Sequence, residues 1–123
     1  MENKSEIKWL LEPEDHNYPA ALSYLSLIYD EATATKFVDG LKNTSISRFK
    51  AKDVFRASGL SLLGVSNSHV DKDSKKIKKG IGLSPILLVR DFSNGKLIIA
   101  DGYHRICAVY LFDEDAVIPC KIV

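Results

Sequence analysis

Cysteine, tryptophan, methionine and proline are all scarce in this sequence, at two, one, one and four residues of 123. The two cysteines, Cys107 and Cys120, have no paired Cys or His neighbours and match neither a zinc-ligand nor a redox spacing. Both read as reduced core thiols. Charge of one sign is also missing: Lys and Arg number 17 and Asp and Glu 16, so the net charge is +1. That balance gives no global attraction to nucleic acid or anionic lipid, and any polyanion must be caught locally. No stretch approaches the ~20 apolar residues of a membrane span. Residues 1 to 5 carry neither a basic leader nor an apolar signal core. A cytoplasmic protein without membrane contact is expected.

What remains is the mixture of a folded domain: 46% hydrophobic and 27% charged residues. The charge is unevenly placed. Residues 1 to 31 hold Lys4 and Lys8 against Glu2, Glu6, Glu12, Glu14, Asp15, Asp30 and Glu31, a local balance of −5, which leaves +6 for the rest.

Apolar residues from Tyr18 to Tyr29 recur at three and four positions, as does the run Ala34, Phe37, Val38 and Leu41. This predicts two helices or one bent helix. Trp9, Leu10 and Leu11 suit a short segment that lays its indole on the body. Ile46 and Phe49 suggest a strand. Lys52 to Ser58 reads as a helical turn stopped by Gly59, and Val70 to Lys79 as a helix capped by the Ser66, Asn67, Ser68 cluster and ended by Gly80. Ile86 to Val89 and Leu97 to Ala100, joined through Ser93, Asn94 and Gly95, form the clearest pattern, a hairpin. A buried helix is expected from near His104 or Arg105, then a closing strand from Ile118 to Val123. The predicted class is α+β, a small mixed sheet flanked by helices, with a helical segment over 1–45 packed on a core domain over 46–123.

The segment Asp101, Gly102, Tyr103, His104, Arg105 lies between an apolar strand and an apolar helix. Gly102 allows close backbone approach, the helix start leaves amide hydrogens unpaired, and the Arg105 fork suits phosphate oxygens. His104 can donate a hydrogen bond or move a proton near neutral pH. Asp101 can orient it, hold a metal or accept a proton. A plain Asp-Gly turn, with Asp101 capping the helix and paired to Arg105, also fits. His69, Lys72 and Lys76 share one helix face that suits a polyanion or a solvated surface. His16, in an acidic loop, reads as a surface hydrogen bonder, and Asp113, Glu114 and Asp115 as solvated loop carboxylates.

The block from Leu83 to Val123 resembles the ParB/sulfiredoxin superfamily: Leu83 to Val89 is similar to a family strand, Leu97 to Tyr110 to its strand, signature and helix, and Ile118 to Val123 to its terminal strand. The helix from Val70 to Gly80 fits in register, and residues 1 to 45 fall outside the likeness. The resemblance implies a nucleotide-phosphate site at the signature: Gly102, Tyr103, His104 and Arg105, with His69, Lys72 and Lys76, would bind ATP, ADP or CTP with Mg2+, and His104 and Asp101 would be catalytic. Sulfiredoxins carry their reactive cysteine where Tyr103 stands, which argues against that activity. ParB partition proteins, which bind and hydrolyse CTP, need a helix-turn-helix for which the chain has no room, so no sequence-specific DNA binding is expected. Free serine kinases have the nearest signature, Asp-Gly-His-His-Arg, and rely on an upstream glutamate base; no glutamate is assigned to that place here, where Asp53 and Asp73 are the available acidic residues. The expected functions are phosphoryl transfer or nucleotide hydrolysis, or else a non-catalytic regulatory or interaction module associated with DNA or a protein partner.

Overall fold

The computed structural model describes residues 6–123; Met1 to Ser5, read above for a leader, lie outside the described residues. Among these the chain is α+β, with five α-helices and a four-stranded mixed sheet. The elements are α1 (Asn17–Leu25), α2 (Glu31–Asn43), β1 (Ser47–Lys50), α3 (Ala51–Ser58), α4 (Ser68–Lys79), β2 (Ile86–Asp91), β3 (Lys96–Asp101), α5 (Tyr103–Phe112) and β4 (Val117–Ile122). A 3₁₀ turn, Phe92–Asn94, joins β2 to β3. The strand order is β1-β4-β2-β3. β2 runs parallel to β4, and the two outer pairs are antiparallel.

β2 decides the layering. Successive side chains of a strand point to opposite faces, and Ile86, Leu87, Leu88 and Val89 are all fully buried. Both faces of the sheet must therefore be covered. Ile86 and Leu88 join Ile99, Ile118 and Cys120 in one cluster with Val54 and Phe55 of α3, Val70 and Ile77 of α4, and Ile106 and Val109 of α5. Leu87 and Val89 join Ile98 and Ala100 in a second cluster with Ala21 and Leu25 of α1 and Ala34, Val38 and Leu41 of α2. The N-terminal helices thus complete one of two cores.

Local chemistry sets most boundaries. Asp30 caps α2 by accepting from Thr33 N–H at 2.7 Å, and Asn67 caps α4 by accepting from His69 and Val70 N–H. Gly59 and Gly80 close α3 and α4 at positive φ. α1 stops at Leu25 rather than continuing to Tyr29. The Ser26 hydroxyl donates to the Leu22 carbonyl, Leu27 and Ile28 fall into tight turns, and Leu27 is left in solvent. Trp9 forms a parallel bridge with Leu83, and its ring packs on the first cluster.

Lys121, facing the same side as Leu87, is buried. Its ammonium meets Glu12 Oε1 at 3.1 Å and donates to the Lys42 carbonyl at 3.3 Å. A polar group so buried is tolerated because it is paired.

Leu87→Ala and Leu88→Ala each remove a buried side chain from a different core, and each should cost about 2–5 kcal/mol of unfolding free energy. Urea denaturation reads both. A near-neutral Leu87→Ala would show that the α1–α2 layer adds little to the fold.

Candidate functional site

The start of α5 is built by Gly102. It stands at φ 108°, a left-handed conformation, and no side chain caps the helix. The first intrahelical bond runs from Ile106 N–H to the Gly102 carbonyl, so the amides of Tyr103, His104 and Arg105 have no partner within the helix. An irregularity in the β2–β3 ladder at Leu87 and Leu88 brings Asp101 opposite Leu87 just before this turn.

These residues open onto a cavity of about 320 Å³. All eight residues expected at the site line it: Asp101, Gly102, Tyr103, His104 and Arg105 from the signature, and His69, Lys72 and Lys76 from one face of α4. The His69 and His104 rings lie 4.8 Å apart between centroids, and Tyr103 flanks His104 at 5.5 Å. The Tyr103 hydroxyl donates to the Ser61 carbonyl and holds the α3–α4 connector beside the site.

Asp101 makes its ion pair with Arg105, Nη2 to Oδ2 at 2.9 Å, rather than with His104. This is the pairing of the plain-turn reading, although the carboxylate does not cap the helix. Of the two upstream acids, Asp53 is exposed and lines a different cavity, whereas Asp73 faces this one. Burial pushes the Asp73 carboxyl above its ordinary range, opposed by Lys76, Arg105, His104 and Lys72. Burial and the neighbouring His69 push His104 below the ordinary histidine range, with Asp73 pulling the other way. The two shifts bring Asp73 and His104, which face one cavity, closer together in proton affinity.

Glu14, Asn17 and Ser84 also line the cavity, although no sequence pattern points to them, and His16, exposed as expected, borders it as well. Ser84 donates to Asn17 Oδ1 and accepts from Glu14 N–H at 3.0 Å. Both contacts span more than sixty residues of chain, so local pattern carries no trace of them. The cysteines are elsewhere in the core. Burial raises both thiols, Cys120 to about 11, which disfavours a reactive thiolate. A roomier apolar cavity of about 400 Å³, walled by Phe49, Val54 and Leu97, holds no residue of the signature.

No family model, curated protein or solved structure matches this chain. Among the described residues no cluster of three His, Cys, Asp or Glu side chains is placed to hold a metal ion. Magnesium, which keeps few protein ligands and many phosphate and water oxygens, needs no such cluster. The cavity's donor set of ammonium, guanidinium, imidazole and open amides fits phosphate oxygens.

Two substitutions test this geometry. An Asp73 pKa raised in the folded chain means its charge costs stability above about pH 4 and costs nothing below it. Asp73→Asn should therefore melt higher than wild type at pH 7, with the gain vanishing as pH falls through about 4. Equal melting temperatures across that range would remove the burial argument. In Gly102→Ala the new methyl would stand 2.6 Å from Ile86 Cδ1 and 2.7 Å from Arg105 Nη2, at a φ that disfavours alanine. It should destabilise by more than about 1 kcal/mol and displace Arg105, which thermal unfolding and side-chain NMR would register.

Proposed function

We propose that the chain binds a nucleotide or another phosphate-bearing small molecule in this cavity, as its resemblance to the ParB/sulfiredoxin superfamily implies. The observation that carries the reading is convergence. Two elements distant in sequence, α4 and the start of α5, bring His69, Lys72, Lys76 and Arg105 to one cavity with an uncapped helix start. Cations supply charge and the amides supply direction, the combination that phosphate groups require.

The leading activity is phosphoryl transfer or nucleotide hydrolysis. Lys72, Lys76, Arg105 and the α5 amides would neutralise charge on the phosphoryl oxygens. His104 and Asp73 would move the proton. Asp101 acts on Arg105, fixing its fork, and reaches the reaction only through it. Asp73, a carboxylate of the cavity that makes no salt bridge among the described residues, would help hold a magnesium ion bound with the phosphates, and the ion would supply further neutralisation of phosphate charge.

A non-catalytic regulatory module is the second reading, favoured by the Asp101–Arg105 pair. It neutralises much of the charge that a transition state would draw on. Turnover separates the two: an enzyme consumes its nucleotide, and a module releases it unchanged.

A thermal-shift screen with ATP, ADP, CTP and GTP, with and without magnesium, tests binding. At ~100 times the dissociation constant a ligand stabilises the fold by ~2.7 kcal/mol. Arg105→Ala should then weaken the best ligand by about 1.5–3 kcal/mol, while His104→Ala should cost less binding and more turnover. Silence with every phosphate ligand, or a folded Arg105→Ala variant that binds like wild type, would remove the assignment.

A further inference from the structure

Asn17, at the start of α1, is polar yet only 3% exposed, and it lines the cavity. A relay dictates how its side chain is turned. The Glu14 backbone N–H can only donate, and it donates to Ser84 Oγ at 3.0 Å. Ser84, itself 2% exposed, therefore directs its own proton to Asn17 Oδ1. Arg105 Nη1, also a donor only, lies 3.5 Å from the same oxygen. With the carboxamide oxygen fixed against two donors, the NH2 group must take the other side of the plane.

That nitrogen has no hydrogen-bond acceptor among the described residues. It is also absent from the atoms that are both unpartnered and sealed from solvent, so its open side is the cavity. The neighbouring Arg105 Nε is unpartnered too, but it is sealed from solvent and is not open to a ligand. A donor that faces a cavity without an acceptor calls for a group that accepts. Anionic oxygens of phosphate or carboxylate are such groups.

We propose that Asn17 Nδ2 is a ligand-binding donor that takes a non-bridging oxygen of the phosphate group. The N-terminal segment thereby supplies a specificity-determining residue to a site whose lysines and arginine come from residues 72 to 105. This rests on the phosphate reading above. Asn17 selects acceptor oxygens and rejects cationic or donor groups at the same position, because the relay leaves the carboxamide no freedom to turn over.

Calorimetric titration with inorganic pyrophosphate, and with malonate as a carboxylate of similar reach, tests the proposal. Asn17→Ala should weaken pyrophosphate about tenfold. Asn17→Asp, which puts an anionic acceptor where the donor was, should weaken it further. Lys76→Ala reports on the phosphate reading independently. If Lys76→Ala loses pyrophosphate while a folded Asn17→Ala variant binds as wild type does, the role of Asn17 is overturned and the phosphate site stands. If wild type binds no pyrophosphate, the phosphate reading falls and the proposal falls with it. An Asn17 dependence seen with malonate alone likewise overturns the phosphate assignment. The wild-type chain gives a readout that needs no variant. The 15N-labelled Asn17 side-chain amide should shift on saturation with pyrophosphate, and an unmoved resonance overturns the proposal.

Discussion

Burial of one strand on both faces is the constraint from which the rest of the molecule follows. Four consecutive apolar residues, Ile86 to Val89, cannot be satisfied by one layer of helices, because alternate side chains leave in opposite directions. The chain covers one face with α1 and α2 and the other with α3, α4 and α5. The cavity forms where the two layers meet beside the sheet. Asn17 comes from one layer, His69 to Lys76 from the other, and the signature from the turn between β3 and α5. The site therefore needs both cores in place before its walls exist.

A near-zero net charge conceals how the charge is sorted. The cavity gathers Lys72, Lys76 and Arg105 together with His16, His69 and His104, alongside the carboxylates Glu14, Asp73 and Asp101. Asp101 is neutralised by Arg105 in a short, largely buried pair. Asp73 is held in surroundings that disfavour its charge in spite of the nearby cations. Neither Asp101 nor Asp73 is arranged to repel an incoming anion at full strength, and Glu14 is exposed to solvent. Three cations gathered at one cavity in a chain of net charge +1 can hold a ligand at short range without making the whole surface adhesive to polyanions.

What the sequence disclosed was what local rules govern. The hairpin, the α4 cap at Asn67, the glycine stops at Gly59 and Gly80 and the shared face of His69, Lys72 and Lys76 are written in neighbouring residues. The signature was legible for the same reason. Three features were not. The early end of α1 depends on turns after Ser26 that break a continuing apolar rhythm. Lys121 looks like a surface lysine until Glu12 and the end of α2 close over it. Asn17 and Ser84 are unremarkable as letters, and gain meaning from a contact across 67 positions. For Asp101 the sequence leaves both His104 and Arg105 open as partners; in space the i,i+4 geometry of the α5 start gives it to Arg105.

The glycine at 102 also bears on how the chain can drift through evolution. The space a side chain would need there is taken by Ile86, a core residue of β2, and by Arg105, the residue that the turn exists to present. Replacement at 102 is thus vetoed twice, once by the core and once by the site itself. A lineage that trimmed Ile86 to valine would lift the first veto and keep the second. Loss of Gly102 is expected only in descendants that have already abandoned Arg105, whereas Arg105 can be lost while Gly102 stays.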